Sequence, residues 1–253
     1  MIVILSSLVA ANPVGGGAQA AELARLGFET ALVPSVLFGR HPGLGPPGGG
    51  ATPQALFEGM LSGIEASGAL ATAEALIAGY FSTVDQVAAA ARFVDTVRAA
   101  NPVALIVVDP IMGDGASGLY VSEAVAGALA GELVPRADLI TPNAWELARL
   151  SGRPAADIDE ALAAARSLGR PVLATSIAAG DEIGVLYASA DETWLASHAR
   201  HESDPKGAGD RLTASFVGHR LKGESVEEAL RAAVARIAEQ VTGGSAQVRM
   251  ARL

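Results

Sequence analysis

Short apolar runs alternate along this chain with longer stretches in which apolar residues return every three or four positions. The runs Ile2 to Leu5, Ala31 to Val33, Ala75 to Ala78, Leu105 to Asp109, Leu139 to Thr141, Val172 to Thr175, Gly184 to Tyr187 and Thr193 to Ala196 read as strands. Helical spacing predicts helices over Ala18 to Leu26 and over residues 54–67, 84–99, 122–131, 143–150, 157–168, 208–222 and 225–241. Strand and helix in turn predict an α/β fold of three layers: a mostly parallel, doubly wound sheet with helices on both faces and ligands at the carboxyl ends of its strands. The second strand runs out at Pro34 and Ser35. The last two strands have no helix between them and read as an antiparallel edge hairpin. No repeat or break in composition divides residues 1–253, which predicts a single domain. One loop stands apart, Arg40 to Pro53, with five glycines and four prolines; its composition fits a disordered connection and a mobile cover over a site equally well.

Composition narrows the classes of function. Half of the 253 residues are hydrophobic, ample for a large core, and only 4% are aromatic. A net charge of -9 argues against a nucleic-acid surface. With no cysteine, thiol chemistry and disulfides are excluded. The first apolar run is too short for a signal peptide core, and no run reaches membrane-spanning length, so a soluble cytoplasmic protein is expected.

The chemistry concentrates in Asp204 to Gly218. Pro205, Gly207 and Gly209 leave an irregular segment, after which Leu212, Phe216, Val217 and Leu221 mark a helix that begins near Gly207 or Ala208. Backbone N–H groups at a helix N-terminus lack internal partners, and glycine lets an anion approach them closely. Asp210 falls in the first turn, where a carboxylate can take a proton from an alcohol while the amides hold phosphoryl oxygens. Alone, the pattern reads as well as a glycine-softened helix start with a favourable first-turn acid.

Other polar residues recur at strand ends. Asp109 ends one strand, Asp114 lies in its loop, Thr141, Pro142, Asn143 and Glu146 follow the next, and Thr175 and Ser176 end another. A nucleoside triphosphate needs Mg2+ for its phosphates and a base for the acceptor alcohol. Asp114, Asn143 and Glu146 could hold the metal and its waters, with Asp210 as the base; singly, Asp109 also reads as a turn former and Asn143 with Glu146 as a helix start. Two glycine patterns, Gly15-x-Gly17-x-x-Ala20 and Gly113-x-Gly115-x-x-Gly118, imitate a dinucleotide fingerprint. Neither has the tight strand-end turn with a following ribose-binding acid that such a site requires.

At these residues the sequence resembles the ribokinase superfamily, and its pyridoxal kinase branch above all. The resemblance is carried by Leu-Gly-Phe-Glu at 26–29, Ala78-Gly79-Tyr80, Asp-Pro-Ile-Met-Gly-Asp at 109–114, Leu-Tyr-Val at 119–121, Ala-Asp-Leu-Ile-Thr-Pro-Asn-Ala-Trp-Glu at 137–146, Thr175-Ser176 and Lys-Gly-Ala-Gly-Asp at 206–210. It implies the ribokinase-like α/β/α fold, a homodimer, and transfer of the ATP γ-phosphate to the 5′-hydroxyl of vitamin B6, with Mg2+ and commonly K+. It implies Asp210 as the base and the amides of Gly207, Ala208 and Gly209 as an anion hole. Asp109, Asp114, Tyr120, Asn143, Thr175, Ser176 and Lys206 would surround ATP, with Asp114 and Glu146 toward the metal. Ser7 and Tyr80 would touch the pyridine ring, and Val36, Phe38 and His41 would line its pocket. The chain departs from the family at Pro42, where a ring-contacting threonine is usual, at Ala10-Ala11-Asn12-Pro13, and at Arg211, where an apolar residue is usual. Gly15-Gly16-Gly17-Ala18-Gln19-Ala20 also looks like the first loop of hydroxymethylpyrimidine kinases, which keeps that alcohol as an alternative acceptor; a non-catalytic binder of B6 or nucleotide is a third reading. His41 is not expected to bind metal, and His198, His201 and His219 are expected at the surface or the edge of the core.

Overall fold

The structure is a computed structural model that describes residues 1–200, 206–242 and 247–253; Asp204, Pro205 and His201 lie outside the described residues. In chain order the elements are β1 (Ile2–Val9), α1 (Gly15–Arg25), β2 (Thr30–Phe38), β3 (Gly49–Ala51), α2 (Gln54–Ala66), β4 (Ala75–Ala78), α3 (Val84–Ala100) and β5 (Leu105–Val108). They continue with β6 (Gly113–Asp114), β7 (Gly118–Leu119), α4 (Glu123–Ala128), β8 (Leu139–Ile140), α5 (Ala144–Ser151), α6 (Ile158–Ser167), β9 (Val172–Ala179), β10 (Glu182–Ala188), β11 (Thr193–Ala199), α7 (Ala208–Leu221), α8 (Val226–Thr242) and β12 (Arg249–Arg252). The chain forms two compact units, Met1–Met112 with Leu119–Asp138, and Gly113–Gly118 with Leu139–Leu253.

In the first unit the strands run in the order β5-β4-β1-β2-β3. All neighbours are parallel except β3, which turns back against β2. Ile2 to Leu5 are fully buried, as expected of a parallel strand covered on both faces, where alternation gives way to a continuous apolar run. Each such side chain contributes roughly 1.5–3 kcal/mol by leaving water. The helix α3 starts where Thr83 Oγ1 accepts from the Gln86 amide at 3.2 Å and ends at Asn101, just before Pro102. Phe57 of α2 meets Phe81 edge to face, with ring centroids 6.3 Å apart.

In the second unit the order is β8-β9-β10-β11-β12. Only β8 and β9 are parallel; the later pairs are antiparallel. Seven consecutive residues of α7, Leu212 to Gly218, are buried, so the middle of this helix is covered on every side.

Several expectations are refined. Pro34 does not end β2, because the strand continues to Phe38, carrying the proline's missing N–H without losing its pairing with β1. The strand β1 reaches Val9, so the gap before Gly15 is shorter than its apolar run suggests. The pair β10–β11 forms the expected hairpin but is not the edge, since β12 lies outside it with Arg252 opposite Trp194. The loop from Arg40 to Pro53 is neither irregular throughout nor unattached: it holds a short 3-10 turn at Pro42–Leu44 and the strand β3. The helix expected over 122–131 stops at Ala128 and gives way to a π turn at Leu129–Leu133. The second glycine pattern, Gly113 to Gly118, lies in the β6–β7 ribbon, where it opens no helix.

Candidate functional site

Of the residues expected around ATP, Asp114, Asn143, Glu146, Thr175, Ser176, Lys206 and Asp210 lie in the second unit, and Asn143 and Glu146 anchor one hydrogen-bond network there. Asn143 caps α5: its Oδ1 accepts from the Glu146 amide at 2.9 Å, and Glu146 Oε2 accepts from the Asn143 amide at 2.9 Å, a reciprocal capping box. The same two side chains reach β6. Asn143 Nδ2 donates to the Gly113 carbonyl at 2.8 Å, and Glu146 Oε1 accepts from the Gly113 amide at 3.3 Å. Glu146 is only 3% exposed, so its charge is held by backbone dipoles rather than by water. The turn carrying Asp114 is fixed by its own carboxylate, whose Oδ1 accepts from the amides of Ala116 and Ser117. Across the strand ends, the Thr175 amide donates to the Pro142 carbonyl at 2.9 Å.

Ser176 is the one non-glycine residue with positive φ, 61°, among the described residues. It lies where the β9–β10 register shifts between Gly184 and Leu186. Such a left-handed residue stores roughly 1–3 kcal/mol, and bulges of this kind re-aim side chains beside functional sites.

The helix α7 is tied to the end of β8, two residues before Asn143, through a residue that sequence reasoning missed. Thr213, 1% exposed, donates its hydroxyl to Thr141 Oγ1 at 3.0 Å. Asp210 precedes Thr213 by three positions and therefore shares its face of the helix. Gly207 caps α7 with φ 84°, a conformation that suits glycine, and Asp210 is the acid of the first turn. The half-buried carboxylate and the backbone amides of the first turn thus belong to the same end of the unit as Thr141, Asn143 and Glu146. Lys206 is exposed just ahead of the cap. The available signal for Thr213 was its place among Leu212, Phe216 and Val217, but its partner lies 72 residues away.

Among the described residues no three His, Asp or Glu side chains gather closely enough to hold a metal by themselves. Mg2+ that arrives on nucleotide phosphates keeps several waters and needs only one or two protein carboxylates. Asp114 Oδ1 accepts from backbone amides, and both oxygens of Glu146 do so, Oε1 from Gly113 and Oε2 from Asn143, so a contact from Glu146 to such an ion would run through its waters.

The acceptor-side candidates, with Asp109 and Tyr120, belong to the first unit. Ser7 is 9% exposed at the end of β1, beside Gly15. Gly15 has φ +59°, and a Cβ there would stand 2.0 Å from Ser7 Oγ and 2.8 Å from its carbonyl oxygen, so only glycine lets α1 begin this close to Ser7. The Tyr80 amide donates to Ser6 Oγ at 3.2 Å, and Ser35 Oγ donates to the Tyr80 carbonyl. Burial pushes the Tyr80 phenol above its ordinary pKa. Val36 is fully buried; Phe38 lines an apolar cavity of about 460 Å³ with Leu8, Ala10, Leu37 and three glycines. The His41 amide donates to Asn12 Oδ1 at 2.8 Å, and His41 Nδ1 accepts from the Gly43 amide at 3.0 Å. Asn12, one of the departures from the family pattern, therefore ties the glycine- and proline-rich segment to the loop after β1. Asp109 is 6% exposed, and Tyr120, 45% exposed, donates its amide to the Met112 carbonyl at 2.7 Å. Of the histidines, His198 is half-buried and His219 bonds Glu224 at 2.8 Å, both near the surface as expected.

Comparison with known proteins places this geometry. The phosphomethylpyrimidine kinase family model matches residues 71–251. The chain is 37% identical over 239 residues to a pyridoxine/pyridoxal/pyridoxamine kinase of Bordetella avium (strain 197N), covering 91% of this chain and 81% of that one. Its fold is similar to that of the pyridoxal kinase from Entamoeba histolytica, with a TM-score of 0.92 at 24% identity over 100% of this chain and 99% of the other. It is also similar to the Leishmania donovani pyridoxal kinase in complex with ADP and pyridoxine, with a TM-score of 0.88 at 26% identity over 96% and 86%. The layered α/β architecture is thus the ribokinase-like fold of these kinases.

Proposed function

The chain belongs to the pyridoxal kinase family, and from that premise we propose that it transfers the γ-phosphoryl group of ATP to the 5′-hydroxyl of pyridoxal, or of the corresponding alcohol and amine. The observation that carries the reading is Asp210 in the first turn of α7, behind a left-handed Gly207 and one helical turn from the Thr213–Thr141 tie.

In this reading the alcohol oxygen attacks the γ-phosphorus, its proton passes to the Asp210 carboxylate, the bond to the β-phosphate oxygen breaks, and ADP leaves. The amides of Gly207, Ala208 and Gly209 receive the phosphoryl oxygens as their charge rises, and Lys206 adds a cation beside them. Asn143, Thr175 and Ser176 position the phosphates. Asp114 and Glu146 would hold the waters of a Mg2+ ion, which supplies charge neutralisation on the triphosphate when bound. Ser7, Tyr80, Val36, Phe38 and His41 orient the ring, with Asp109 and Tyr120 on the nucleotide. We read the protein as a cytoplasmic homodimer.

A second acceptor, hydroxymethylpyrimidine, is favoured by Gly15-Gly16-Gly17-Ala18-Gln19-Ala20, and the matching family model is described as a kinase of a pyrimidine, phosphomethylpyrimidine. Steady-state kinetics with Mg-ATP and each alcohol decide between them: kcat/KM is expected to favour pyridoxal, and a preference for the pyrimidine would replace the substrate while keeping the transfer. No phosphorylation of either, with ligand binding intact, would make the protein a binder. The same assays with and without K+, and the mass in solution by light scattering, test the monovalent ion and the dimer.

A further inference from the structure

Gln86 lies in the first turn of α3, 1% exposed, and belongs to none of the motifs that carry the family resemblance. A buried primary amide offers two donors and an acceptor oxygen, and leaving them unmade would be costly. Here all are used. Nε2 donates to the Ser35 carbonyl at 2.8 Å and to the Thr52 carbonyl at 3.1 Å, while Oε1 accepts from the Ser82 amide at 3.1 Å and the Ser82 hydroxyl at 3.2 Å.

Those partners are not arbitrary. Ser35, within β2, and Thr52, just after β3, flank the arm of residues 36–51, which holds the end of β2, the Pro42–Leu44 turn and β3, and the Thr52 amide closes the arm's base on the Ser35 carbonyl at 2.9 Å. Thr52 Oγ1 adds a bond to the Pro34 carbonyl at 2.7 Å, and Ser35 Oγ donates to the Tyr80 carbonyl. Ser82 follows Tyr80 by two residues. The arm that carries Val36, Phe38 and His41, and the turn that carries Tyr80, are therefore both referenced to one amide.

We propose that Gln86 is a positioning residue for the alcohol acceptor, setting the base of the 36–51 arm against the Tyr80 turn without touching the substrate. The inference rests on the reading of Val36, Phe38, His41 and Tyr80 as the acceptor side. A fully satisfied buried polar network fixes one arrangement where an apolar contact would permit several.

Gln86→Met keeps the volume and removes all four bonds; Gln86→Glu keeps the acceptor and sets a carboxylate against two carbonyls. Well below the melting temperature of each variant, KM for pyridoxal is expected to rise about tenfold or more, the effect of losing roughly 1.4 kcal/mol of positioning, while KM for ATP stays within about twofold. In the same preparations, hydrogen exchange is expected to quicken at residues 36–52 and at 80–82 and to stay unchanged in α7. Ser82→Ala, which removes one bond, keeps the test available if the larger changes prevent folding, and should shift the same two readouts less. Unchanged KM for pyridoxal with unchanged exchange at 36–52 would overturn the proposal. Should the wild type fail to phosphorylate pyridoxal at all, the functional reading falls, and the exchange pattern still decides whether Gln86 holds the arm.

Discussion

The two halves of the candidate machinery are stabilised in different ways. On the phosphate side, Asn143 and Glu146 satisfy each other three residues apart, and Asp114 accepts from amides two and three residues ahead of it. On the acceptor side the bonds that matter span long stretches of chain: 29 residues from Asn12 to His41, 51 from Ser35 to Gln86, 74 from Ser6 to Tyr80. In the first arrangement the capping box and the Asp114 turn are set by local backbone geometry, and folding adds the ties from Gly113 to Asn143 and Glu146 and from Thr213 to Thr141. The second exists only after β1, β2 and β4 are aligned. Phosphate groups are alike in every nucleotide, so a local, rigid cradle suits them. An acceptor pocket fixed by distant contacts can change its ring preference through substitutions far from the ring.

If that contrast is right, Glu146→Gln should have the larger effect of the two substitutions that follow. The backbone amides of Gly113 and Asn143 meet different oxygens of the carboxylate, and glutamine would set an NH2 donor against one of them. The loss is expected to lower stability by about 1–3 kcal/mol and to raise the Mg2+ concentration needed for half-maximal activity. A chemical denaturation curve and a Mg2+ titration that both match the wild type would remove Glu146 from the network and from the metal.

Gln19 sharpens the comparison from the other side, with a smaller effect of opposite sign. It is fully buried in α1, and neither end of its amide meets a hydrogen-bond partner among the described residues, unlike Gln86. Gln19→Met should therefore stabilise the protein by about 1 kcal/mol, raising Tm by about 2–4 °C. A fall in Tm would mean that this amide, too, is a bonded anchor.

How much of this was legible in the sequence follows the same division. The helices over 84–100, 144–151 and 208–221 were readable within a residue or two because caps and spacing are local: Thr83 before α3, Asn143 with Glu146 on α5, glycines before α7. The strand β4 was readable to the residue from four apolar positions. Pro34 misled because proline is normally excluded from paired strands, yet here β2 continues past it. The strand β3, three small residues of a glycine-rich run, has no apolar pattern at all, and its pairing with Val36 to Phe38 comes from contacts that only folding supplies. Thr213, Asn12 and Gln86 were invisible as site-building residues for the same reason: each looks like an ordinary helix or turn residue until its distant partner arrives.

The role of Asp210 is open to the most direct test. Single-turnover phosphorylation of pyridoxal by Asp210→Asn, with ADP affinity measured on the same protein, is expected to be about 10²- to 10⁴-fold slower than wild type, with affinity for ADP retained. A rate within tenfold of wild type would contradict the assignment and move the base elsewhere.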